Sequence, residues 1–157
     1  MNSKERCLNQ LTGKPIDRIP VFPLLMGFAA KRAGFDYGQF ASHGEVMAES
    51  QVNMYNRFNV DAITACSDAF RISADLGGRL IFPKDQPPHL IEPVVTTEND
   101  LRNLKRPDPS IATTRMYDRA MGVLSMVKSV GSECFILGWV DMPFAEACSV
   151  CLSLIHI

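Results

Sequence analysis

Apolar positions along this chain fall into two rhythms. From Glu45 to Phe58, the residues Val46, Ala48, Met54, Tyr55 and Phe58 recur at helical spacing, with Glu45, Glu49 and Arg57 turned to water and Asn59 at the end. Met116, Ala120, Val123, Leu124 and Val127 repeat that pattern in a helix that opens at Thr113 or Thr114 and stops at Gly131. A third helix runs from Ser3 to Leu11, with Ser3 as N-cap, Cys7, Leu8 and Leu11 on one face and Gly13 beyond its end. Shorter stretches that are apolar on both faces predict buried strands at Val21–Leu25, Asp61–Ala65 and Cys134–Val140. Pro23 requires an edge, an end or a bulge in the first of them.

The segments between are shorter. Met26 to Gly34 reads as loop or a short helix, and Gly34, Gly38 and Gly44 divide this region. Arg79–Phe82 and Leu90–Val95 pair as a hairpin across the Pro83–Pro88 loop, with Pro93 counting against the second strand. Thr97 caps a short helix that Pro107 and Pro109 end, and a last helix starts at Phe144. Helices alternating with buried strands predict an α/β fold with a parallel sheet and crossover helices.

Composition narrows the classes. The chain has 157 residues, 46% hydrophobic and 21% charged, with a net charge of -1. That suits one soluble domain with its own core. The balance gives no electrostatic reason to expect nucleic acid or an anionic membrane. No apolar run approaches the roughly 20 residues of a membrane span. Met1 to Arg6 is polar and lacks a signal peptide's apolar core, so the expected location is cytoplasmic. Cys7, Cys66, Cys134, Cys148 and Cys151 make an odd count, read as reduced thiols.

Candidate chemistry gathers where strands end. The run to Ala65 stops at Ser67-Asp68, and in α/β folds working residues sit after strand carboxyl ends. Asp68 is therefore the first candidate; capping a turn is its other reading. Asp141 occupies a matching place after the third strand, with a turn before Pro143 as its alternative. Glu146 either faces a pocket from the following helix or is solvated. Met26 and Phe28 either line a pocket for a flat apolar cofactor or belong to the core. Cys148 and Cys151 have CxxC spacing without a second pair or a nearby histidine, and read as helix thiols. His43 and His89 read as surface residues, and Gly77-Gly78 is too short to cradle phosphate.

Three ordered landmarks carry a family resemblance. They are Ser3-Lys4-Glu5-Arg6 with Gly13 to Val21, Ser67-Asp68 with Leu76-Gly77-Gly78 and Phe82-Pro83, and Gly138 to Phe144. Together they resemble the uroporphyrinogen decarboxylase superfamily. The resemblance implies a TIM (β/α)8 barrel, of which this chain holds about three of eight strands plus a small hairpin. In the decarboxylases an aspartate matched by Asp68 holds the pyrrole N–H groups of a tetrapyrrole. Their paired arginines fall at Leu25 and Ala29 here, so that carboxylate clamp is missing; Lys31, Arg32 and Arg71 lie nearby but are not placed by the motif. A later tyrosine falls at Ser149.

Pro143-Phe144-Ala145-Glu146-Ala147 resembles instead the cobalamin-dependent methyltransferase branch. That branch implies methylcobalamin or another corrinoid, a corrinoid protein or small-molecule thiol as partner, and a zinc ion that binds the acceptor thiol. Its zinc ligands, a His-x-Cys pair and a later Cys, belong to the second half of the barrel, which is expected to lie beyond this chain. The decarboxylase alternative implies a tetrapyrrole substrate and no cofactor.

A barrel of this kind needs about 250 residues. Residues 1–151 are therefore expected to be the N-terminal part of one, inactive alone, with unpaired edges that favour aggregation. Residues 152–157, Leu-Ser-Leu-Ile-His-Ile, read as a translated sequencing adapter.

Overall fold

A computed structural model describes residues 1–152. Helix α1 (Ser3–Leu11) starts from a capping box: Asn2 accepts from the Glu5 N–H, and the Glu5 carboxylate accepts from the Asn2 N–H. The N-cap is therefore Asn2 and not Ser3, which is buried. The predicted strand Val21–Leu25 is an extended connection. Pro20 and Pro23 cannot donate to a ladder, and the connection meets the start of the sheet through one backbone–backbone bond, Asp61 N–H to the Val21 carbonyl at 2.8 Å. Val21, Phe22 and Leu24 are exposed, not buried.

Helix α2 (Gly27–Ala33) ends at Gly34, whose φ of 91° is the left-handed turn that favours glycine. Asp36 and Gln39 form a second capping box on α3 (Tyr37–Ser42). Helix α4 (Gly44–Phe58) closes at Asn59 with φ 51°. It packs against both preceding helices, so the burial it shows is broader than one stripe. Met47, Ala48, Ser50, Gln51 and Met54 are buried, while Phe58, expected in the stripe, is exposed.

Strand β1 (Ala62–Thr64) is wholly buried. Next come α5 (Arg71–Asp75), β2 (Leu80–Ile81), β3 (His89–Leu90) and α6 (Glu98–Asn103), then α7 (Arg115–Val130), β4 (Phe135–Leu137) and α8 (Pro143–Cys151). β1 and β4 pair in parallel, with Ile63 opposite Ile136. β2 and β3 form the expected antiparallel hairpin, shorter than predicted, and Pro93 lies beyond its pairing. The parallel sheet thus has two strands where three were expected, and the described residues form no closed barrel.

Helix α7 packs on α4 at a glycine crossing. A Cβ on Gly122 would lie 2.8 Å from the Gly44 carbonyl oxygen, and one on Gly44 would lie 2.1 Å from that of Asp118. The buried residues of α7 are accordingly Gly122 and Met126, whereas Ala120, Leu124 and Val127 of the predicted stripe are exposed. The core joins Phe40, Met47, Met54, Ile63, Ala65, Met126 and Cys134. All five cysteines are free thiols. No described helix is long and apolar enough to cross a membrane. Residues 153–157 of the adapter reading lie outside the described residues.

The amino end of β1 is held by charge. Asp61 is fully buried and accepts from Arg6, from both terminal nitrogens of Arg18, and from the Val21 N–H at 2.7 Å. Arg6 also grips Asp17 at 2.6 and 2.7 Å. Burial works against the ionised Asp61, but these hydrogen bonds outweigh it and hold the carboxyl below its ordinary range.

Gly44→Ala should destabilise the fold by about 1–3 kcal/mol, because the α4–α7 crossing must open to admit the methyl group. Urea unfolding near neutral pH measures it, and an unchanged midpoint would contradict the close crossing.

Candidate active site at the carboxyl end of β1

The chain leaving β1 stays buried through Ala65, Cys66, Ser67 and Asp68. Asp68 then turns it into α5: its Oδ1 accepts from the Phe70 N–H at 3.0 Å. Its Oδ2 accepts from the Ser67 hydroxyl at 2.6 Å. Arg115, in the first turn of α7, donates to both oxygens, each at 2.9 Å. That bidentate fork is the strongest side-chain pairing available to a carboxylate.

Arg71, 1% exposed, completes the cluster from α5. It donates to Ser67 Oγ at 3.1 and 2.9 Å, to the Arg115 carbonyl at 2.8 Å and to Asp118 at 3.0 Å. Arg71 and Arg115 share the Ala41 carbonyl at the end of α3. Arg119, one turn further along α7, donates to the Asp68 carbonyl at 3.2 Å and to the Trp139 carbonyl at 2.7 Å. Tyr37 on α3 donates to the Ser67 carbonyl at 2.9 Å. One dipeptide therefore ties together α3, α5, α7 and the loop after β4.

These contacts decide protonation. Burial raises the Asp68 pKa, but Arg115, Ser67 and Arg71 lower it by more, so the carboxyl titrates below its ordinary value. Glu146 behaves oppositely. Burial and then Asp141 push it up to about 7, with Arg119 pulling the other way. Cys66 is pushed up to about 11, chiefly by burial, which keeps it a thiol.

The structure brings three of the predicted residues to one end of the sheet. Asp68 follows β1. Asp141 follows β4 and accepts from the Trp139 indole N–H at 3.2 Å. Glu146 sits in the first turn of α8. Met26 caps α2 with its sulfur 3.8 Å from Cys66 Sγ, half-buried beside the cluster. Phe28 stands elsewhere, 47% exposed, with its ring 5.9 Å from that of Phe58 and under Arg32. Ala29, at one missing-arginine position, is fully buried in the core, and Leu25, at the other, packs against it. Ser149 bonds back to the Ala145 carbonyl of its own helix. No three His, Cys, Asp or Glu side chains among the described residues come together to hold a metal.

Arg115 and Arg119 escaped the sequence reading, although two arginines one helical turn apart after a capping threonine are a signal of sorts. Nothing local says that they face a buried acid far away in the chain.

Comparison with known proteins places this geometry. The family model for uroporphyrinogen decarboxylase (URO-D) matches residues 2–153. The chain belongs to the uroporphyrinogen decarboxylase family. Relatives in this family include a uroporphyrinogen decarboxylase of Pseudoalteromonas atlantica, 27% identical over 94% of this chain and 43% of its own length. Another, from Trichlorobacter lovleyi, is 28% identical over 91% of this chain and 42% of its length. The chain spans less than half the length of these relatives. A solved methyltransferase from Methanosarcina mazei shares the fold, with a TM-score of 0.81 at 17% identity over 96% of this chain and 45% of that one. The family's opening landmark corresponds here to the Arg6–Asp17–Arg18–Asp61 lock, and its Ser67-Asp68 landmark to the arginine cluster.

Asp68→Asn should cost about 3–5 kcal/mol near neutral pH, since it leaves Arg115 buried against a neutral amide. The native Asp68 titrates low, so its contribution is complete above its unfolded pKa of about 4 and is lost as pH falls through the folded value. Denaturant unfolding of both proteins should show the gap narrowing in acid. A gap independent of pH would point to lost packing instead.

Proposed function

We propose that the full-length protein is a cytoplasmic methyltransferase of this family, passing methyl from a corrinoid to a thiol. One observation carries the reading: the charge left over at the candidate site is acidic. Arg71 and Arg115 are turned onto protein acceptors, as are the terminal nitrogens of Arg119; among the described residues Arg119 Nε is left without a partner, as is one buried oxygen each of Asp141 and Glu146. Two unpaired acids and no free arginine fork offer little to a substrate ringed by carboxylates. Leu25 and Ala29 supply no cations in their place.

In this reading Asp68 is a positioning residue, because Arg115, Ser67 and the Phe70 N–H already fill its oxygens. It fixes Arg115, and its carbonyl helps fix Arg119. Transfer of methyl to a thiol releases the thiol proton, and Glu146, raised to about 7, takes the part of acceptor in this reading. A zinc-bound thiol and methylcobalamin belong to this proposal. The described residues supply no ligand set for zinc.

The second reading, uroporphyrinogen decarboxylation, is favoured by the names of the two relatives at 27% and 28% identity. The assay that separates them offers the full-length protein methylcobalamin with 2-mercaptoethanesulfonate, and separately uroporphyrinogen. Demethylation of the cobalamin with formation of the thioether is expected, falling by about 10²–10³-fold in Glu146→Gln. Uroporphyrinogen should persist. Its efficient decarboxylation, abolished by Asp68→Asn, would overturn the proposal.

A further inference from the structure

Helix α8 ends in a pair of thiols that the proposed reaction does not use. Cys148 and Cys151 are free and half-buried. Three positions apart, they share one face of the helix, with Cβ atoms about 5–6 Å from each other. The turn that carries them is held in place. The Val150 carbonyl accepts from the Val94 N–H at 2.8 Å and from the Val95 N–H at 3.3 Å. Behind Cys151 the left-handed Leu152 closes the helix, with its N–H on the Cys148 carbonyl. Cys151 also lines an apolar hollow of about 590 Å³ with Leu76, Leu101 and Val150, which gives a small reagent a way to its sulfur. The other three thiols are shut in. Cys7, Cys66 and Cys134 are buried, and burial raises each of them, Cys66 to about 11 and Cys134 to about 12.

Paired thiols either close to a disulfide or share a soft cation. A disulfide needs Cβ atoms about 3.5–4.5 Å apart, closer than a helical turn holds them, and the bonds from Val94 and Val95 resist tightening that turn. Redox CxxC pairs also draw their reactivity from a helix N-terminus, and this pair lies at the other end of its helix. A bridging cation spans the wider gap. A metal–thiolate bond is about 2.3 Å long, so two of them join sulfurs up to about 4.6 Å apart.

The number of donors selects the ion. Protein zinc sites take three or four side-chain ligands, and no three His, Cys, Asp or Glu side chains come together among the described residues. Two thiolates alone complete the shell of a soft, two-coordinate monovalent ion, and copper(I) is such an ion. No basic side chain stands in the last turn of α8, so the negative end of the helix dipole is left for a bound cation.

We propose that Cys148 and Cys151 form a two-coordinate copper(I) site at the carboxyl end of α8. Binding changes no oxidation state. Two S–H bonds break, two Cu–S bonds form, both protons go to water, and the copper bis-thiolate carries one negative charge. The site does not depend on which reaction the full-length protein performs. Bound copper clips the last turn of α8 behind the hollow.

The test uses the full-length protein without oxygen and iodoacetamide as the thiol probe, with the labelled positions read by peptide mass. In the metal-free protein Cys148 and Cys151 should alkylate at least about tenfold faster than Cys66 and Cys134. Copper(I) buffered with bicinchoninate should slow both together by about tenfold or more. An excess of zinc should slow them by less than about twofold. Cys151→Ser should abolish the protection of Cys148, and Cys148→Ser that of Cys151. The double variant Cys148→Ser/Ser149→Cys keeps two thiols but puts them two positions apart on different helix faces, and should lose protection as well. The copper and zinc measurements on the unaltered protein need no variant to fold. Slow labelling of both thiols without metal, protection of one alone, equal protection by zinc, or protection that survives Cys151→Ser would each overturn the site.

Discussion

Asp61 and Asp68 stand at the two ends of β1, and arginines close each carboxylate inside the protein. Taking either charge out of water costs several kcal/mol, and only close, hydrogen-bonded partners offset that. The partners come from distant parts of the chain. Arg6 and Arg18 reach Asp61 from α1 and the segment after it; Arg115 reaches Asp68 from α7, with Arg71 behind it. A three-residue strand has few ladder bonds of its own. The two clamps fix where it begins, where it ends and which way it points.

The consequence for the site is a division of labour between acids. Asp68, saturated by donors, is a strut: it holds Arg115 and Arg71 and sets the floor on which Arg119 lies. Asp141 and Glu146 lie at the same end of the sheet but keep unused oxygens. Burial raises both Asp68 and Glu146, yet the result differs with the partners. Where arginine forks are present the pKa falls; at Glu146, with an acid for a neighbour, it rises to about 7. The carboxyl raised toward neutrality therefore lies on α8, and the one lowered is the strand-end aspartate.

Much of the local structure was legible in the residues. The helices at Glu45–Phe58 and Thr114–Val130, the short helix capped by Thr97, and the hairpin around Pro83–Pro88 all formed. So did the placement of Ser67-Asp68 after a buried strand. The errors have two causes. A stripe marks a helix, but neighbours decide which flank is covered: α4 is enclosed on several sides, so Met47 and Gln51 enter the core, while α7 meets α4 through Gly122 and leaves Leu124 and Val127 outside. At Val21–Leu25 an apolar run was read as burial, yet two prolines prevent a ladder.

The sequence by itself determined the periodicities, the caps, the breaks at Gly34 and Asn59, and the ordered landmarks that mark the family. Those are local properties, set by backbone sterics and by neighbours within a turn or two. Tertiary structure alone decided what Asp68 does, because its partner Arg115 lies 47 positions along the chain and becomes a neighbour only when α7 packs on α4 and α5. The same packing left Arg119 Nε, Asp141 Oδ2 and Glu146 Oε2 buried without partners among the described residues. Hydrogen bonding and desolvation act through space, so a residue's chemistry waits on where the fold puts its partners.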